Sequence, residues 1–87
     1  MSLLRLRRQG LHWLESDGEI VALDDVSLRY LSANAPGAVL WQRLVQGATR
    51  DQLVAALLDE FEVDPADARR DVDAYVTELT RLGLLES

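Results

Sequence analysis

The 87-residue chain contains no cysteine and no lysine, a single histidine, one methionine and two prolines, and only 6% of its residues are aromatic. Without cysteine, neither disulfides nor thiolate metal sites are available. The lone His12 cannot build a zinc site unless several carboxylates converge on it. No apolar run approaches the roughly 20 residues of a membrane span. The first ten residues scatter Arg5, Arg7 and Arg8 among single leucines and lack the continuous apolar stretch of a secretion signal. No metal, cofactor or membrane is expected, and a cytoplasmic location is.

What is present describes one globular domain. Apolar residues make up 48% of the chain, with no biased or repeated segment. A chain of this size buries only about 60% of its extended surface and cannot divide its core in two. The net charge is −6, and all nine basic residues are arginine. That balance repels polyanions such as DNA on average and steers a basic peptide inward.

The first half reads as strands. Leu11-His12-Trp13-Leu14-Glu15 and Glu19-Ile20-Val21-Ala22-Leu23 flank Ser16-Asp17-Gly18, and an Asp-Gly pair between apolar runs is a strong hairpin signal. A polar corner at Asp24-Asp25 leads into a third strand, Ser27 to Ala33, completing a meander. That strand stops abruptly at Asn34, which places it at a sheet edge whose unpaired N–H and C=O groups can accept another chain.

From Pro36 onward the period becomes helical. Val39, Leu40, Trp41, Leu44 and Val45 share one side of a first helix, with Gly47 where a C-cap belongs. Thr49 and Gln52 form a capping box for a second helix with the stripe Leu53, Val54, Leu57, Leu58 and Phe61. Asp64 and Pro65 supply the N-cap and first position of a third helix, whose apolar positions run from Ala68 to Leu82 before Gly83. The inventory predicts an α+β domain of the winged helix-turn-helix type, a three-stranded antiparallel sheet followed by three helices, over residues 10–87. Residues 1–9 form an N-terminal arm outside it.

Catalysis finds little support. Adjacent carboxylates occur at Asp24-Asp25 and Asp59-Glu60, but neighbours in a strand diverge to opposite faces and neighbours in a helix lie about 100° apart. His12 has no evident partner for acid-base work. No phosphate loop, nucleophile elbow or metal-spaced cluster is present. A DNA-binding winged helix has the same element inventory. Here, though, Arg69, Arg70 and Arg81 share the third helix with Asp67, Asp71, Asp73, Glu78 and its cap Asp64, which neutralises phosphate poorly.

Several spaced features together resemble the PqqD-like proteins, also called recognition elements for ribosomally made, post-translationally modified peptides. They are Gly10-Leu11-His12, Gly18 ahead of a strand ending in Leu23-Asp24, the Arg29-Tyr30 pair, Asn34 with Gly37, Trp41, Gly47 followed by Thr49, Val63-Asp64, Asp71-Val72, and Leu79 to Leu85. The resemblance spans roughly Gly10 to Leu85. A separate chain of this length looks most like the discrete form used in lasso-peptide pathways. Three positions depart from the family pattern: Leu28 stands where a glycine is common, Ala33 where a leucine is, and Pro36 where a threonine is.

The resemblance implies a binding protein for the leader segment of a precursor peptide, with a leader peptidase and a cyclase as separate partner enzymes. The leader would add as an antiparallel strand beside the third strand, under the third helix, with main-chain bonds setting register and alternate side chains entering apolar pockets. The implied contacts are Ser27, Leu28, Arg29, Tyr30, Leu31 and Ser32 on the strand, with Asp71, Val72, Ala74, Tyr75 and Glu78 on the helix. Strand alternation puts Arg29, Leu31 and Ala33 on one face and Leu28, Tyr30 and Ser32 on the other, and the resemblance turns the Leu31 face to the core. Tyr30 is then either a cross-strand packing aromatic or a groove wall. Asp71, Asp73 and Glu78 are either a solvated helix face or the reader of a basic leader.

Overall fold

The computed structural model describes residues 3–86. Three strands, β2 (Leu11–Ser16), β3 (Glu19–Asp24) and β4 (Arg29–Ala33), form an antiparallel sheet in the order β2-β3-β4. Asp17 and Gly18 both take positive φ, 53° and 77°, the pattern of a type I′ turn that suits the twist of two short strands. Register follows from that turn: Ser16 faces Glu19 and Leu11 faces Asp24, while Ile20 faces Ala33 and Asp24 faces Arg29. Leu11, Ile20, Ala22, Leu31 and Ala33 therefore share the face that packs on the helices.

Three helices follow, α1 (Ala35–Gln46), α2 (Arg50–Glu60) and α3 (Pro65–Arg81). Helix α1 begins where the Asn34 side chain accepts from the Gly37 N–H at 3.3 Å. The expected capping box opens α2, with Thr49 Oγ1 accepting from the Gln52 N–H at 3.1 Å and Gln52 Oε1 from the Thr49 N–H at 2.9 Å. Asp64 precedes α3 in extended conformation, but its side chain makes no cap bond. Pro65 fixes the first turn. Leu44, Leu53, Val72 and Leu84 are fully buried where the three helices meet the sheet.

Two expectations are corrected. Residues 3–9 of the expected 1–9 arm are part of the domain: Arg5–Leu6 form a strand, β1, antiparallel to β5 (Leu85–Glu86), with Arg5 opposite Glu86 and Leu6 opposite Leu85. Leu4 and Ala48 exchange two backbone bonds of 2.8 Å each, and Leu6 is buried in the core. Residues 1–2 lie outside the described residues. The second correction concerns the third strand, which starts at Arg29 and not Ser27. Residues 25–28 are a turn, closed as Asp24 Oδ1 accepts from the Val26 N–H at 3.0 Å, and Leu28 sits at φ 58°.

Asp24 is the buried charge that organises this corner, with 3% of its surface exposed. Arg7 Nη2 lies 2.6 Å from its carboxylate, while Arg7 Nη1 donates to the Gly83 carbonyl at 2.8 Å and Nε to that of Gln9 at 2.9 Å. One guanidinium thus joins the N-terminal segment, the sheet and the chain leaving α3. Burial alone raises the carboxyl's pKa, but the Val26 N–H, the Ser27 side chain and Arg7 outweigh it and hold Asp24 below its ordinary value.

Two predictions follow from these corners. A leucine in the left-handed region costs roughly 1–2 kcal/mol, and Leu28 is 77% exposed, so glycine there relieves strain without emptying the core. Leu28→Gly should raise stability by about 1 kcal/mol, seen as a gain of about 4–8 °C in Tm by thermal circular dichroism. The lowered Asp24 carboxyl contributes stability that is present above its ordinary value of 3.8 and is lost as pH falls through the lower, folded value. Urea midpoints measured between about pH 6 and 2 should fall for the native chain, and the fall should be shallower in Asp24→Asn.

Candidate functional site

Strand β4 pairs with β3 on one side only, so it forms one edge of the three-stranded sheet. Alternate N–H and C=O groups of Arg29–Ala33 point away from β3. Beside that edge lies a groove of about 700 Å³, with α3 as its far wall. Its sheet wall is Leu31, Ser32 and Ala33, with Ile20 and Ala22 behind. The floor is Leu40 and Trp41 of α1 with Leu57 of α2. The far wall is a single stripe on α3 and its end, Asp71, Tyr75, Glu78 and Leu82, with Leu79 turned further in. Residues spaced by three and four lie one above another on a helix, which is why these four line up.

Tyr75 sets the width of the groove. Its hydroxyl donates to the Gly37 carbonyl at 3.0 Å, tying the middle of α3 to the first turn of α1. Burial pushes the phenol well above its ordinary value of 10.0, so it remains a donor at any physiological pH. Gly37 allows the close approach, because a Cβ there would lie 3.0 Å from that of Ala33 and 3.4 Å from the Tyr75 ring. Ala33 and Gly37 are small because strand, helix and tyrosine converge on this point.

The rim is charged. Arg81 donates through both guanidinium arms to Glu78, at 3.0 Å from Nε, and this bond, with the nearby charges of Arg81 and Arg29, lowers the Glu78 carboxyl. Asp71 stands on the same helix stripe seven residues earlier. The groove therefore combines an apolar floor, a row of backbone groups and carboxylates along one lip, which is the set of features that holds an extended peptide. Among the described residues, no three His, Cys, Asp or Glu side chains gather in a way that could hold a metal.

The structure brings together Leu31, Ser32, Asp71, Tyr75 and Glu78 of the expected contacts, and puts Arg29 at the first position of β4, outside the groove lining, from where its charge contributes to lowering the Glu78 carboxyl. The others stand elsewhere. Ser27 and Leu28 belong to the turn ahead of β4. Tyr30 is not a groove wall; its side chain projects from the opposite face and is 76% exposed. Val72 is fully buried in the core, and Ala74 is exposed away from the groove. Missed were Ala33, Gly37, Leu40, Trp41 and Leu82, whose apolar spacing reads as core. Trp41 is buried as expected and meets Trp13 edge to face, ring centres 6.2 Å apart. His12 does have a partner: Nε2 lies 2.9 Å from Asp25, in an exposed pair, and neither residue lines the groove.

A three-stranded meander, three helices and a groove along the free strand edge define a small winged-helix-like domain of the peptide-binding kind. The family model described as coenzyme PQQ synthesis protein D (PqqD) matches residues 19–85, and the chain belongs to that family. Among solved structures it is similar to a lasso peptide synthetase B1 complexed with the leader peptide, at 33% identity, TM-score 0.81, covering 97% of this chain and 98% of that one. It is also similar to TbiB1 in complex with the TbiA(beta) leader peptide, at 25% identity and TM-score 0.85, covering 95% of each chain. No curated protein matches the chain.

Tyr75→Phe removes only the hydroxyl that bridges α3 to α1. It should lower unfolding free energy by about 1 kcal/mol, since the Gly37 carbonyl loses its donor, and be measurable by urea denaturation.

Proposed function

We propose that this protein binds the leader segment of a ribosomally made precursor peptide, of the lasso type, by antiparallel strand addition to β4. In this reading it holds the precursor in the cytoplasm for a separate leader peptidase and cyclase and performs no chemistry itself. The observation that carries the proposal is the unpaired edge of β4 opening directly onto an apolar groove, in a chain similar over nearly its whole length to two proteins solved with leader peptides.

The energetics fit such a role. Strand addition satisfies main-chain groups on both partners and fixes register, while side chains on one face of the leader enter the pocket between Leu31 and Tyr75. Burying two Leu- or Tyr-sized anchors at about 1.5–3 kcal/mol each, less ordering costs, leads to micromolar or tighter binding. Asp71 and Glu78 act on association rate and salt sensitivity more than on affinity. A DNA-binding reading gains nothing from the structure: Arg70 and Arg81 on α3 are paired with Asp67 and Glu78.

Fluorescence anisotropy with a labelled leader peptide tests the proposal. Leu31→Ser, on the groove wall, should weaken binding by about 10-fold or more. Tyr30→Ala, on the opposite face, should leave it unchanged. Equal affinities for the native chain and Leu31→Ser would refute the groove as the binding site.

A further inference from the structure

Helix α3 and strand β4 run in opposite directions along the groove. Glu78, late in α3, feels the charge of Arg29 at the start of β4. Tyr75, about one turn earlier, bonds Gly37, which packs against Ala33 at the end of β4. Asp71, a further turn back, lines the groove past that end. A peptide that adds antiparallel to β4 therefore runs parallel to α3, meeting Asp71 first and Glu78 last.

Charge is distributed unequally between these two ends. Asp71 is exposed and, among the described residues, has no cation within ion-pairing distance. Its neighbours on the helix are already matched, Asp67 with Arg70 and Asp73 with Arg50. At the far end Glu78 holds both arms of Arg81 on the lip, while Arg29 is exposed and, among the described residues, unpaired. Asp24, across the ladder from Arg29, is buried against Arg7, and Asp25 lies against His12. The entrance of the groove is thus acidic and its exit basic, although the chain as a whole carries −6.

Spacing makes this pattern readable by a strand. Between Asp71 and Glu78 the helix rises about 10 Å, at about 1.5 Å per residue. Side chains on one face of an extended chain recur every second residue, so four residues, about 13 Å, is the even spacing that joins the two ends once the charged arms reach out. The residue midway then lies over Leu31 and Tyr75.

We propose, on the leader-binding reading above, that the groove selects a leader by the order of its charges: a basic residue at Asp71, an apolar residue two positions later over Leu31 and Tyr75, and an acidic residue two positions after that at Arg29. Asp71 and Arg29 set direction and register, while the apolar anchor carries most of the affinity. The hydrogen-bond pattern of a ladder repeats every two residues and does not by itself prevent a slip of that size. A charge at each end does, because a slipped leader carries both of its charges away from their partners.

Fluorescence anisotropy with two labelled peptides of identical composition tests this. An alanine scan of the leader first locates its central apolar anchor. One peptide then carries Lys two positions before the anchor and Glu two positions after it; the other exchanges the two. Net charge is equal, so the overall acidity of the chain does not distinguish them. The native chain should bind the Lys-first peptide about 5-fold tighter at low salt and lose that preference at about 1 M salt, where screening acts over about 3 Å. Asp71→Asn and Arg29→Gln, both at exposed positions, should each reduce the preference by about 2-fold. The double variant Asp71→Arg, Arg29→Glu should prefer the Glu-first peptide. Equal affinities for the two peptides in the native chain, a preference that persists at high salt, or one that all three variants leave in place would each overturn the charge-order inference and leave the leader-binding reading standing. Failure of the native chain to bind the unaltered leader removes both.

Discussion

The groove exists because β4 and α3 are held apart at a fixed spacing, and the Arg7–Asp24 contact does much of that holding. A buried carboxylate is costly unless its lone pairs are used, and removing one partner of such a pair leaves an uncompensated charge. Here Arg7, the Val26 N–H and the Ser27 side chain use them. The same guanidinium reaches the Gly83 carbonyl just past α3, so the entrance of β4 and the exit of α3 are referred to one point. Midway along α3, Tyr75 bonds Gly37. The two walls are thus pinned at the exit of α3 and again at its middle, and among the described residues no element covers the space between them.

That arrangement explains the uneven use of polarity. The floor is leucine and tryptophan, with the Trp41 Nε1 buried there without a partner among the described residues, while other polar groups of the site are backbone atoms at the strand edge, the Tyr75 hydroxyl and carboxylates along the helix lip. Shape and register come from atoms every residue has. In the proposed reading, selectivity falls to the few pocket side chains and to Asp71 and Glu78.

Much of the fold was legible because its signals are local. Asp17-Gly18 specifies a hairpin turn within two residues, and Thr49 with Gln52 specifies a helix start within four, so both could be read without tertiary knowledge. Alternation put Leu31 and Ala33 on one face, and the resemblance to the family turned that face inward. What escaped reading was non-local. Two-residue strands such as β1 and β5 have no periodicity, and pairing Arg5 with Glu86 requires knowing where the two ends meet. The alternation of Leu28, Tyr30 and Ser32 imitates a longer strand, although Leu28 breaks it with a positive φ. Alternation leaves Tyr30 open to two roles, a cross-strand packing aromatic or a groove wall, and the structure puts it on the outer face while the groove opens from the inner one, where α3 stands. Ala33 and Gly37 gave no chemical signal, since their role is to be small.

The β1–β5 ladder brings positions 5 and 86 side by side, so the described chain closes almost into a ring. A short linker across that seam would make a circular molecule, and the exposed Asp17-Gly18 bend could then be opened to create new ends. The order in which the elements are strung is therefore separable from the shape they make, and the peptide edge would survive such a rewiring intact.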